Sequence, residues 1–115
     1  MKVDLAEACS NPPTIFMVVQ KPAELKAGRK ALIAALNEKV TLPKKAKGNV
    51  ILMFLINCKS EASGFIIPKA DDIDIAKEVI EALTEIQGWQ AGLQNEKPVD
   101  MYEMISLAYK RGRFL

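Results

Sequence analysis

The stretch Asp71-Asp72-Ile73-Asp74-Ile75-Ala76-Lys77-Glu78-Val79-Ile80-Glu81-Ala82-Leu83-Thr84-Glu85-Ile86-Gln87-Gly88 decides the fold of this chain. Ile73, Ala76, Val79, Ile80, Leu83 and Ile86 recur at three- and four-residue intervals, which lines them up on one stripe of an α-helix. The aspartates at its start can accept free backbone N–H groups and face the positive end of the helix dipole. Gly88 stops the helix. A single apolar stripe needs an apolar surface to cover, and the segments on either side supply one.

Upstream, Asn49 to Cys58 holds the longest apolar run, Val50 to Ile56, whose seven residues are apolar on both faces, as in a central strand. Lys59 to Gly64 reads as a polar turn, and Phe65-Ile66-Ile67 starts the returning strand of a hairpin. Downstream, Gln87 to Pro98 reads as a loop that carries the only Trp. Val99 to Lys110 then alternates. Val99, Met101, Ile105, Leu107 and Tyr109 point one way, and Asp100, Tyr102, Met104, Ser106 and Lys110 the other. Only Glu103 breaks the first set, so a long half-exposed strand is expected. The tail 111–115 is expected to fray.

Earlier in the chain, Leu25, Ala31, Leu32, Ala35 and Leu36 predict a helix over 22–38, with Pro22 in its first turn and Gly28 as a weak point. Thr41-Leu42-Pro43 ends it, and 44–48 is a basic turn. Thr14 to Gln20 is β-branched and aromatic and predicts a short strand. Residues 1–13 read as a flexible lead-in closed by Asn11-Pro12-Pro13. The expected fold is a single α+β domain over 14–115. It has two helices on one face of a three-stranded antiparallel sheet: a β-β-α-β core preceded by a helix, with an extra N-terminal strand. The Asn49 strand is placed at the centre and the Val99 strand at an edge.

Half of the 115 residues are apolar and 26% are charged, which suits one ordinary core and argues against wholesale disorder. Lys21 to Lys47 carries eight Lys or Arg against two Glu, and Asp71 to Ile86 carries six acids against one Lys. Two oppositely charged surfaces follow. No run of 18 apolar residues exists, so no direct membrane span is expected. No apolar run precedes Cys9, so the start does not read as a signal peptide. For the two cysteines, Cys9 and Cys58, two unpaired thiols are favoured over a disulfide.

The absence of His excludes Ser-His and Cys-His nucleophile pairs. No phosphate-binding glycine loop occurs. Asp71, Asp72 and Asp74 are explained by capping and a solvated helix face better than by a metal site, and Glu61, Glu96 and Glu103 form no carboxylate pair. No catalytic residue, metal or cofactor is expected, and the chain is not expected to be an enzyme. The basic stretch Lys39 to Lys47 lacks interleaved aromatics, so nucleic acid is not expected as a partner. Trp89 reads as a plug sealing helix against sheet, in preference to a ligand contact.

From Leu42-Pro43 onward the order of motifs resembles the C-terminal domain family of TonB-type energy transducers, especially its divergent Bacteroidetes-like members. Leu42-Pro43 stands for that family's Tyr-Pro, and Gly48-Asn49-Val50 for the Gly-x-Val that opens an apolar strand. Trp89-Gln90-Ala91-Gly92 stands for Trp-x-Pro-Gly, with Ala91 in place of Pro. Gln94-Asn95-Glu96-Lys97-Pro98-Val99 stands for Gln-x-Gly-Lys-Pro-Val, with Glu96 in place of Gly. Pro43, Gly48, Trp89, Gly92 and Pro98 are thus the structural motif residues. The resemblance covers about 70 residues. The family's membrane anchor, Pro-rich linker and receptor-proximal Gln-Pro motif have no counterpart here. The resemblance implies a periplasmic or cell-envelope interaction domain, given an upstream anchor or leader. Its partner would be an outer-membrane receptor peptide, or another envelope protein, added as a strand to Met101, Tyr102, Glu103, Met104, Ile105, Ser106, Leu107, Ala108 and Tyr109. The readings beside it are a stand-alone structural or homodimerising domain and, least favoured, a nucleic-acid-binding module.

Overall fold

The computed structural model describes Cys9 and residues 15–115. The class is α+β. In chain order the elements are β1 (Glu24–Leu25), α1 (Arg29–Lys39), β2 (Lys47–Ile56), β3 (Ala62–Ala70), α2 (Ile73–Glu85), β4 (Trp89–Gln90), β5 (Gly92–Gln94), β6 (Lys97–Val99), β7 (Met101–Lys110) and β8 (Arg113–Phe114). The main sheet runs β3-β2-β7-β8, with every neighbouring pair antiparallel. β2 lies inside it and pairs with β7 over its whole length, from Lys47 opposite Lys110 to Ile56 opposite Met101.

Alternation along β2 and β7 sends Val50, Leu52, Phe54, Ile56, Met101, Ile105, Leu107 and Tyr109 to one face, where all are buried in one core with both helices. From α2 this core receives Ile75, Ala76, Val79, Ile80, Ala82 and Leu83, and from α1 Leu32 and Leu36. Each such large apolar side chain removed from water stabilises the fold by about 1.5–3 kcal/mol. The entry of α2 is built as its aspartates foretell. Asp72 Oδ1 accepts the N–H groups of Asp74 (2.9 Å) and Ile75 (3.3 Å), and Asp71 Oδ2 accepts that of Asn49 (2.7 Å), which ties the helix start to β2. Ile73 departs from the expected stripe. It opens the helix and is half exposed.

Several local expectations are corrected. The first helix begins at Arg29, not near residue 22, because Gly28 sits at φ +89°, outside helical space, as its N-cap. Glu24 and Leu25 pair instead with Gln90 and Trp89, which seats Leu25 beside the Trp. The loop expected over 87–98 contains β4 and a hairpin, β5–β6, whose two turn residues Asn95 and Glu96 have φ +52° and +63°. The tail does not fray. Asn37 accepts the Phe114 N–H (2.7 Å) and donates to its carbonyl (3.1 Å), β8 pairs with β7, and Phe114 is fully buried. β8 therefore adds a fourth strand to the three expected.

The strand expected over 14–20 is not formed. Thr14 lies outside the described residues, as does the lead-in 1–13 except Cys9, and the ladder contact of residues 15–20 is an isolated parallel bridge from Phe16 to Met101. The unpaired thiols are also overturned, since Cys9 and Cys58 form a disulfide. A separation of 49 residues gave no hint that both would meet at one carboxylate. That carboxylate is the buried Asp100, which accepts the Cys9 N–H through Oδ2 (2.8 Å) and the Cys58 N–H through Oδ1 (2.9 Å).

Candidate functional site

β7 is a ten-residue strand with a full partner on one side only. Alternate residues of an antiparallel strand direct both backbone groups to the same side, so Tyr102, Met104, Ser106 and Ala108 serve the side away from β2. The two ends of that side are strapped by backbone. Phe16 donates to Asp100 O (3.0 Å) and accepts from Tyr102 N–H (2.9 Å), while Leu115 donates to Ala108 O (3.0 Å) just beyond β8. Between the straps, among the described residues, no strand lies beside the edge. There Glu103 Oε1 accepts the Met104 N–H (3.0 Å), and Arg29 Nη2 donates to the Ser106 carbonyl (2.8 Å).

The nine residues expected to bind a partner do not form one surface. Met101, Ile105, Leu107 and Tyr109 are buried under the helices, and Tyr102 and Ala108 are half buried. Met104 and Ser106 are exposed on the opposite face of the sheet. The backbone groups of Met101, Ile105 and Leu107 point to β2, so a partner along the outer edge meets Tyr102, Met104, Ser106 and Ala108 instead. Glu103 breaks the alternation by placing a carboxylate on the helix-covered face, opposite Phe54. Burial raises its pKa above the ordinary glutamate value. The Met104 N–H pulls it back, and Glu24 adds to the rise.

The structural motif residues seat both ends of this strand. A Cβ on Gly48 would come within 2.8 Å of the Tyr109 hydroxyl and 2.9 Å of Asp71 Oδ2. One on Gly92 would come within 2.9 Å of Met101 Sδ and 3.0 Å of Val19 Cγ2. A larger residue at either place would have to push these side chains aside. Trp89 is buried in the core, edge-on to Phe54 with ring centroids 5.3 Å apart, and Phe54 stacks on Phe65. Pro43 accepts the Ala46 N–H in the turn before β2, and Pro98 pairs with Leu93 in the small hairpin.

The sequence reading missed Arg29, Asp100 and Asn37, whose partners lie 42 to 91 positions away. Among the described residues, one group of three or more His, Cys, Asp or Glu has metal-ligand spacing: Cys9, Cys58 and Asp100. Its sulfurs are joined to each other, and its carboxylate holds two backbone N–H groups. Asp71, Asp72 and Asp74 are apportioned between the start of β2 and the first turn of α2. No helix of the described residues is long and apolar enough to cross a membrane. No protein-family model matches this chain, and comparison with curated proteins and with solved structures finds no match either.

Proposed function

We propose that this chain is a non-enzymatic interaction domain of the cell envelope that takes up an extended peptide beside β7. As its resemblance to the TonB C-terminal domains implies, that peptide would come from the periplasmic end of an outer-membrane receptor, in energy-coupled transport. The observation that carries the reading is the middle of the β7 edge. There the Met104 N–H and the Ser106 carbonyl are held by single side chains, whereas the ends are held by backbone. An added strand can displace side chains from such a gap and take over the main-chain bonds. The Cys9–Cys58 disulfide supports an oxidising compartment such as the periplasm.

Backbone amide exchange in the presence of receptor-derived extended peptides tests this. Protection should appear at Met104 and Ser106. Ser106→Pro, which removes an edge N–H, should abolish it. Protection confined to other elements, or unaffected by that proline, would overturn the reading. The same gap can accept a second copy of the chain, so sedimentation across a concentration series separates peptide capture from homodimerisation.

A further inference from the structure

The sheet has a second face, turned away from both helices, and the β7 edge reading does not use it. Register places Met53 of β2 between Ile66 of β3 and Met104 of β7, and Ile51 between Lys69 and Ser106. Met53 and Ile66 are only half buried there, and Met104 is 54% exposed. The surface is concave. A groove of about 600 Å³ is lined by Met53, Ile66, Ile67, Pro68 and Met104, with Ile73 and Lys77 contributed by α2. This groove accounts for the exposure of Ile73 at the start of its helix. Thioether side chains adapt readily to an incoming apolar surface.

The charged side chains that the strands send to this face are cations, with Asp71 lining a recess beside Lys47 and Lys110 at its end. Lys47 stands opposite Lys110, and Lys110 opposite Arg113, so three cations form a row across β2, β7 and β8, while Lys69 lies between that row and the groove. β2, β3 and β7 direct no acidic side chain to this side. Among the described residues the ion pair present, Lys39 with Glu85, lies elsewhere, and none of the four cations makes one. Like charges placed directly across a ladder are destabilising, and an anionic occupant would relieve that cost.

We infer that this face docks an amphipathic helix from a protein partner, with apolar side chains in the Met53–Met104 groove and carboxylates over the row Lys47, Lys110 and Arg113. The strand length fixes the size of the ligand. Met53 lies six positions along β2 from Lys47, a span of about 20 Å. A helix covers that distance with about 13 residues, or nearly four turns. β2 is paired with β3 on one side, across two register shifts, and with β7 on the other, so this face offers side-chain contacts and not strand addition. A recess suits inserted side chains better than a flat bilayer.

The test uses the whole chain and a labelled helix-forming peptide of about 18 residues, with Glu in its first turns and Leu at helical spacing in its last turns. Binding should shift the methyl resonances of Met53, Ile66 and Met104. Met104→Glu should weaken it about tenfold or more, and Lys110→Glu or Lys69→Glu several-fold, with circular dichroism unchanged. Replacing every Glu of the peptide by Lys should weaken it at least about tenfold. Arg29→Ala, which bares the β7 edge, should leave this affinity unaltered, so the two sites fail separately. The inference is overturned by absence of binding at about 1 mM peptide, by equal binding of the Lys peptide, or by shifts mapping elsewhere. It is equally overturned if phosphatidylglycerol vesicles bind in a Met104-dependent way while the peptide does not.

Discussion

Arg29 Nη2 donates to the carbonyl oxygen of Ser106 at 2.8 Å, so the first residue of α1 reaches back to the outer edge of β7. The contact is exposed and made by one flexible side chain. It guards the edge without closing it. Arg29→Ala should remove a competitor worth about 1 kcal/mol and raise the affinity of an edge-binding peptide about fivefold, with little change in melting temperature. Titration of the two proteins with the same peptide checks this.

Reduction of the Cys9–Cys58 disulfide by a dithiol should lower stability by about 4 kcal/mol, the chain-entropy value for a closed loop of this size. It should also release the Phe16 strap. Asp100 positions both cysteine backbones, and the Phe16 bridge starts at the Asp100 carbonyl. The Tyr102 amide should therefore exchange faster after reduction while the amides of β2 facing β3 keep their protection. Exchange measured with and without reductant reads both effects.

Trp89→Ala should cost about 3–5 kcal/mol, because a large side chain leaves the core beside Phe54. Trp89→Phe should cost far less. The indole Nε1 is buried with no hydrogen-bond partner among the described residues, and its removal offsets part of the lost volume. Denaturant unfolding of the two variants should separate them clearly.

Glu103 carries a pKa raised by burial, so the folded state holds its proton to higher pH than the unfolded state does. For an acid shifted in this direction, the folded state is favoured at low pH. Stability falls as pH rises from the unfolded glutamate pKa through the folded one. Glu103→Gln removes that loss and retains an oxygen for the Met104 N–H. The variant should gain melting temperature over wild type near pH 7 and lose the advantage well below the glutamate range.

Glu96 occupies φ +63° in the β5–β6 turn, a conformation that favours glycine. A side chain there costs about 1 kcal/mol relative to glycine. Glu96→Gly should stabilise the domain by that amount in thermal unfolding.

What the sequence disclosed and what it hid divide along physical lines. The stripe Ala76, Val79, Ile80 and Leu83, the run Val50 to Ile56 and the alternation of Met101, Ile105, Leu107 and Tyr109 are periodic, and each element lies where its period placed it. Gly28 showed its weakness in the sequence, but its conformation was decided by Leu25 pairing beside Trp89, a contact 64 positions distant. Phe114 was read as frayed because its anchor, Asn37, lies 77 residues earlier. Asp100 looked like any polar residue of a half-exposed strand. Its burial depends on Cys58 arriving from β2 and Cys9 from the start of the chain. Properties carried by one segment were legible, whereas those requiring two or three distant segments to meet were not.

The disulfide also has a mechanical meaning. A pull applied at Cys9 does not travel along residues 10–57, because the covalent bond delivers it to Cys58, just past the end of β2. The load enters at Cys58 and passes on into β3, which is paired with β2 in the main sheet. α1, β1 and the Phe16 bridge hang slack in the bypassed loop. With the bond reduced, the same tug would meet these weaker contacts first and peel them in sequence. One pair of sulfurs thus determines whether tension on this domain enters its sheet directly or unravels it from the end.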